Sequence, residues 1–131
     1  MIDIGSFRFR REERLKGRKE IRDVFSRGKR YGCFGAKLFV LKNDLTYNRI
    51  CFTFPKASKK SVFGKAVARN RVKRLNREVF RLMKSSLLGG HDLVLLIYPD
   101  EGTPGSFSNN SRLQSRRRQL ESLFLKAGLL K

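Results

Sequence analysis

Regularly spaced cations between Gly64 and Met83 are the side chains of this sequence best suited to chemistry, and the chemistry is phosphate binding. The stretch reads GKAVARNRVKRLNREVFRLM. Its apolar residues recur at intervals of three and four, which predicts an amphipathic helix with one buried stripe. The predicted stripe is Ala68, Val72, Leu75, Val79 and Leu82, with Met83 at its flank. On the opposite side the pattern places Arg69, Asn70, Lys73, Arg77, Arg81 and Lys84, with Arg74 beside them.

The polar side of this predicted helix carries almost only positive charge. Glu78 is its single acid before Gly90, and like charges at i,i+4 spacing repel by a few tenths of a kcal/mol per pair. A helix that tolerates this repulsion indicates an anionic partner. Arginine grips phosphate with two parallel hydrogen bonds, and the amide of Asn70 can both donate and accept. Phosphate together with ribose fits such a surface.

Composition also favours a polyanionic partner. Lys and Arg number 31 against 11 Asp and Glu, so the net charge is +20. No segment is long enough to span a bilayer, which favours nucleic acid over a membrane surface. At 131 residues and 40% hydrophobic, we expect a single domain over 1–131, with 1–13 a flexible basic arm. The first residues lack the order of a signal peptide, which predicts cytoplasmic localisation.

Few residues offer catalytic groups. The 11 acids are scattered, and His91 is the only imidazole. No carboxylate cluster suits a two-metal nuclease, so we predict no catalytic residue and interpret His91 as structural. Cys33 and Cys51 fit no zinc or disulfide pattern and are predicted to be buried or free thiols in a reducing compartment. No helix-turn-helix or zinc finger supports DNA binding.

The remaining pattern predicts the elements that position the basic helix. Arg18–Arg27 forms a first helix ended by Gly28, and 111–126 a last helix, with 29–35 a turn or short strand. Strands at 37–42 and 49–54 are expected to be joined by 43–48 as a hairpin. A strand at 92–98, apolar on both faces, follows the basic helix, so strand, helix and strand resemble a βαβ crossover.

The run GKAVARNRVKRLNREVFR resembles the signature of the bacterial ribonuclease P protein component. The matching residues are Arg69, Asn70, Arg71, Lys73, Arg74, Arg77 and Glu78. The resemblance implies an α/β (α+β) two-layer sandwich like the second domain of ribosomal protein S5. It also implies the element order αβββαβα with a left-handed crossover, whereas physical rules alone predict a right-handed one.

This resemblance implies a function as the protein subunit of a ribozyme. The catalytic RNA performs the cleavage with Mg²⁺, and the protein binds that RNA and the 5′ leader of precursor tRNA, with no obligate protein partner. By this resemblance the residues that bind the RNA subunit are Arg69, Asn70, Arg71, Lys73, Arg74 and Arg77. Those expected to bind the leader are Ile21, Phe25, Phe39, Lys56 and Lys65.

Three positions depart from the family pattern. Ile21 stands where Phe is common, Lys65 replaces Asn, and Tyr98 replaces Arg. The loop 55–63 is also longer, which leaves the family's loop lysine open among Lys56, Lys59 and Lys60. The alternative interpretation is a ribosomal or other structured-RNA-binding protein with no role in cleavage.

Overall fold

The computed structural model describes residues 11–33, 35–54, 66–98 and 109–131. Within these ranges a four-stranded sheet is combined with three α-helices. The elements are α1 (Arg18–Arg27), β1 (Lys29–Cys33), β2 (Ala36–Lys42), β3 (Arg49–Thr53), α2 (Ala66–Met83), β4 (His91–Ile97) and α3 (Asn109–Lys126). This confirms the predicted order αβββαβα, including the short strand at 29–33. The predicted left-handed sense of the crossover stays a prediction.

The strand order β1-β2-β4-β3 places the apolar β4 inside the sheet. β2 pairs antiparallel with β4, and β3 pairs parallel with it. The predicted hairpin between β2 and β3 is therefore wrong, because β4 lies between them. The connection β3-α2-β4 is a crossover between parallel neighbours, as predicted. Five of the seven β4 residues are buried, namely 92–95 and Ile97. This matches a strand covered on both faces.

Each face of the sheet carries its own apolar cluster. On one face, α2 and α3 pack over strand residues that include Leu38, Ile50 and Leu95. On the other, α1 packs through Val24 against Phe39 and Val94. The two sets alternate along each strand, as side chains with a period of two must. The larger core therefore lies under α2 and α3, while α1 covers only part of the opposite face.

The turn from α1 into β1 depends on Gly28. Its amide donates to the Val24 carbonyl at 2.9 Å and ends the helix as predicted. A Cβ atom at this position would lie 2.4 Å from the Val24 oxygen and 2.9 Å from the Val40 oxygen. The absent side chain lets the chain pass close to β2 and sets α1 against the sheet.

The chain before α1 lies along the outer edge of β3. Arg14 forms a parallel bridge with Ile50, and Leu15 N donates to the Ile50 carbonyl at 3.0 Å. Arg11–Glu13 is a short 3-10 turn, so this described part of the expected arm is packed. Glu13 is 8% exposed and accepts a 2.9 Å ion pair from Lys84, which follows α2. This pair ties the chain before α1 to the end of the basic helix.

The buried face of α2 differs from the predicted stripe. Val79 and Met83 are buried as expected, but Leu82 is 37% exposed. Asn76 and Phe80 are buried instead, at 1% and 0% exposed. Asn76 tolerates burial because its Nδ2 donates to the Val72 carbonyl one turn earlier, at 2.8 Å. The buried face of α2 is therefore rotated relative to the predicted stripe.

A bidentate ion pair connects the first residue of β3 with the second residue of β4. Arg49 Nε and Nη2 donate to the two carboxylate oxygens of Asp92 at 2.8 and 2.6 Å. Asn43 Nδ2 also donates to Asp92, at 2.8 Å. The residue after β2 and the first residue of β3 thus both bind one carboxylate on the strand between them, which fixes the register of all three strands.

Candidate nucleic-acid interface

The outer face of α2 displays the predicted cations. Asn70, Arg71 and Arg74 are exposed, and Lys73 and Arg77 are half-buried along one flank. Arg69 lies in the first turn of the helix, as an α-helical residue. We call these residues the α2 basic face: Arg69, Asn70, Arg71, Lys73, Arg74 and Arg77. The structure therefore brings all six predicted residues onto one helix.

Two charged side chains of α2 neutralise each other. Glu78 accepts from Arg81 Nε at 3.1 Å in an i,i+3 pair. That hydrogen bond lowers the pKa of Glu78 and raises the pKa of Arg81. No described carboxylate pairs with Arg71, Arg74 or Arg77. The single acid of α2 therefore neutralises a cation outside the α2 basic face and leaves that face positive.

The flank of α2 brings positive charge to the end of the edge strand β3. Lys73 Nζ lies 5.9 Å from the centroid of the Phe54 ring, directly after β3, which is a cation–π distance. Burial raises the pKa of the Cys51 thiol on β3, and the nearby charges of Lys73 and Arg77 partly oppose that rise. Cys51 shares the α1 face of the sheet with Phe39. Lys73 therefore lies beside the end of β3, the edge strand next to α2.

On that opposite face, α1 and β2 form the predicted aromatic site. The rings of Phe25 and Phe39 have centroids 4.7 Å apart at an interplanar angle of 64°, an edge-to-face pair. Phe25 is 39% exposed, whereas Phe39 is 7% exposed. Ile21 is half-buried and packs against the same cluster. Phe25 therefore presents the exposed ring surface, and Phe39 supports it.

A second aromatic residue with a cation lies further along the same face. Lys37 is exposed two residues before Phe39 on β2, and its Nζ lies 5.7 Å from the centroid of the Tyr98 ring. Sequence reasoning noted Tyr98 only as a departure and missed Lys37. The alternation of β2 places Lys37 on the same face as Phe39, which could have identified it. We call the face lined by Phe25, Phe39, Lys37 and Tyr98 the aromatic groove.

Other predicted site residues fall outside these surfaces. Lys56 and Lys65, with the alternatives Lys59 and Lys60, lie outside the described residues. His91 begins β4, where its amide donates to Asn48 Oδ1 at 2.9 Å. Cys33 and Cys51 are both free thiols, as predicted. Within the described ranges no three His, Cys, Asp or Glu side chains are grouped so that they could hold a metal ion.

Fold and surface together define a small α+β protein with a cationic helix on one side of its sheet and an aromatic groove on the other. A family model for ribonuclease P matches residues 9–127. The chain is 35% identical over 122 residues to the ribonuclease P protein component of Clostridium acetobutylicum, covering 92% of each chain. It is 44% identical over 82 residues to that of Natranaerobius thermophilus, covering 63% of this chain and 67% of the relative. The chain belongs to the ribonuclease P protein family, the protein components of an endoribonuclease complex of tRNA processing.

Solved structures of this family share the fold. The Thermotoga maritima RNase P protein is 27% identical with a TM-score of 0.65, over 86% of this chain and 94% of that one. A Staphylococcus aureus RNase P protein aligns with a TM-score of 0.71 over 91% and 98% of the two chains. Its identity is 20%, so this second likeness concerns the fold alone. The family match decides between the two functions that the sequence left open, in favour of the RNase P subunit.

Proposed function

We propose that this protein assembles with the catalytic RNA of ribonuclease P through the α2 basic face, and that the RNA performs the cleavage. The observation that carries the proposal is the unbalanced charge of α2. Arg71 and Arg74 are exposed without a described carboxylate partner, while Glu78 is committed to Arg81. Such residues bind phosphates, and each contact releases counterions from the RNA. The half-buried Lys73 and Arg77 extend this contact along the flank.

The aromatic groove binds the 5′ leader of precursor tRNA in this proposal. Single strands are held by aromatic rings on which bases stack and by cations that neutralise phosphates. Phe25 offers the exposed ring, and Lys37 offers an ammonium group beside Tyr98. Ile21 supplies apolar packing but no stacking surface. Lys56 and Lys65 remain proposed leader contacts.

Magnesium belongs with the RNA in this proposal. The described acids do not form a ligand set for the ion, and four of them are paired with cations: Glu13, Glu78, Asp92 and Glu121. The protein's contribution is to offset the repulsion between the phosphates of the RNA subunit and those of the substrate. The proposed site of action is the cytoplasm, with no second protein required. None of the described helices is long and apolar enough to cross a membrane.

Reconstitution with the cognate RNA subunit tests this function. Cleavage of precursor tRNA is measured across a magnesium titration for RNA alone, protein alone and the two together. The protein alone is expected to be inactive, and its addition to the RNA is expected to lower the magnesium requirement. Site-specific cleavage by RNA-free protein would overturn the assignment of catalysis to the RNA.

A pair of matched variants shows whether the α2 basic face is responsible. Arg71→Gln with Arg74→Gln removes two charges from the face and is expected to raise the magnesium requirement. Lys19→Gln with Arg22→Gln removes two charges from exposed positions of α1 and serves as the control. Equal effects of the two double variants would mean that net charge alone, and not this face, assembles the complex.

A further inference from the structure

A second cationic surface lies at the β1 edge of the sheet, away from α2. β1 and α3 carry seven Lys or Arg residues, two from β1 and five from α3, against one acid. That acid, Glu121, pairs with Arg117 at 3.1 Å. The remaining described cations form what we call the β1–α3 surface: Lys29, Arg30, Arg116, Arg118 and Lys126. Lys29, Arg30 and Arg118 are exposed, and no described carboxylate forms an ion pair with them.

Two contacts hold α3 against β1, so these cations belong to one surface. Lys126 Nζ donates to the Gly32 carbonyl at 2.7 Å. The Cys33 thiol donates weakly to the Gln119 carbonyl at 4.0 Å. Both contacts join α3 to the last two residues of β1, so α3 lies along the same edge strand that carries Lys29 and Arg30.

The β1–α3 surface and the α2 basic face occupy opposite edges of the sheet. In the order β1-β2-β4-β3 the two edge strands are three steps apart, which is about 14 Å at the usual spacing of 4.7–4.9 Å per step. α2 packs over β3, and α3 over β1. The same few phosphates cannot contact both surfaces. A nucleic acid bound at the β1–α3 surface must therefore be a different stretch from the one bound at the α2 basic face.

The register of β1 connects this surface with the aromatic groove. Arg30 lies opposite Phe39, and Lys29 lies opposite Val40. Paired residues share a face of the sheet, so Arg30 lies on the groove side. Val40 packs into the core under α2 and α3, so Lys29 lies on the α3 side. Adjacent residues of the edge strand thus carry positive charge from the groove around the edge to α3.

We propose that the β1–α3 surface binds the phosphates of the upstream part of the precursor leader, after this strand leaves the aromatic groove over β1. The contact is electrostatic and tolerates any sequence, as backbone-tracking grooves do. Arg30 lies on the groove side of β1, Lys29 lies on its α3 side, and Arg118 lies on α3 next to Gln119, which contacts Cys33 at the other end of β1. The inference rests on the proposed leader site and adds a second contact that only long leaders can reach.

Leader length separates this contact from the groove itself. The affinity of the reconstituted complex is measured for precursor tRNAs with leaders of about 4 and about 16 nucleotides, the range of known single-strand site sizes. The variant Lys29→Gln, Arg30→Gln, Arg118→Gln is expected to lose the additional affinity of the long leader and to bind the short leader normally. Its slope of log affinity against log salt for the long leader is expected to fall by about 2, at about 0.7 per phosphate.

The control variant Lys16→Gln, Lys19→Gln, Lys131→Gln removes the same charge from exposed positions before α1, in α1 and at residue 131 and is expected to change the affinity for neither leader. Urea unfolding of each free variant shows that the fold is intact. Weaker binding of the RNA subunit, equal losses for both leaders, or no loss at all would each overturn the proposal. In each of these outcomes the wild-type protein still lowers the magnesium requirement of the RNA subunit. If the proposed function itself were wrong, the wild-type protein would fail to do so.

Discussion

Replacing Phe25 by Ala separates RNA stacking from core packing at the aromatic groove. The ring is 39% exposed, so a large part of its surface is available to a base. Stacking of a base on an aromatic ring is typically worth about 1–3 kcal/mol, which corresponds to roughly a 5- to 150-fold loss of affinity at 1.4 kcal/mol per factor of ten. We therefore expect Phe25→Ala to weaken binding of precursor tRNA by a factor in this range and to leave mature tRNA unaffected.

Phe25→Ala is expected to destabilise the fold only slightly, so a loss of RNA affinity can be interpreted. The edge-to-face contact of Phe25 with Phe39 is worth about 0.5–1.5 kcal/mol beyond area burial. Phe39→Ala, by contrast, would leave a cavity in the smaller core at a cost of about 3–5 kcal/mol. Phe39 is therefore the poorer probe, although its position in the groove was predicted together with that of Phe25.

The assay pairs dissociation constants of the reconstituted complex for precursor and mature tRNA with urea unfolding of the free protein. Phe25→Leu keeps most of the apolar volume but removes the ring, so it should lose precursor affinity with little loss of stability. Phe25→Tyr keeps a ring and should bind as wild type does. Equal losses for precursor and mature tRNA would show that Phe25 only packs against the core and would refute the stacking argument.

Two further predictions concern the ion pairs. Asp92→Asn should lower the free energy of unfolding by about 2 kcal/mol, because it removes the buried carboxylate that pairs with the half-buried Arg49, and urea denaturation measures this. A loss no larger than that of the exposed Glu121→Gln would contradict the role given to Asp92. The Arg81 hydrogen bond lowers the pKa of Glu78 below its ordinary 4.5, so this pair stabilises the fold above about pH 4.5 and loses that effect as the pH falls through the lowered pKa. Glu78→Gln should consequently reduce stability slightly at neutral pH and not at all in strong acid, and a difference that persists at low pH would show that the pair is not its cause.

Local sequence patterns predicted the helices and strands better than they predicted which strands are neighbours in the sheet. The continuous apolar run of β4 predicted a strand covered on both faces, and Gly28 predicted the end of α1. The position of β4 between β2 and β3 was missed because strand pairing depends on contacts distant in sequence. Asp92 accepts hydrogen bonds from Arg49 and Asn43, and nothing in the short segment that joins β2 to β3 shows that both will bind a residue more than forty positions later.

At the candidate site, too, local patterns were predicted and contacts between distant residues were not. The spacing placed Arg69, Asn70, Lys73, Arg74 and Arg77 on one side of α2, and the family resemblance added Arg71. The predicted buried stripe omitted Asn76 and Phe80. A stripe defined by apolar residues leaves out Asn76, which is buried because its amide donates to the Val72 carbonyl. Lys37 and Tyr98 could not be paired from sequence, because their contact exists only once β2 and β4 are aligned in register.

The salt dependence of assembly with the RNA subunit tests the role of the α2 basic face most directly. Arg74→Gln should weaken binding and lower the slope of log affinity against log salt by about 0.9, the value for one lost phosphate contact on a duplex. Asn70→Ala should lose about 1 kcal/mol of affinity, the worth of one hydrogen bond, with the slope unchanged. The double variant Glu78→Gln, Arg81→Gln keeps the net charge of the helix and should leave the slope as it is. If Arg74→Gln leaves both the affinity and the slope at their wild-type values, the α2 basic face is only solvated and the proposed assembly surface is wrong.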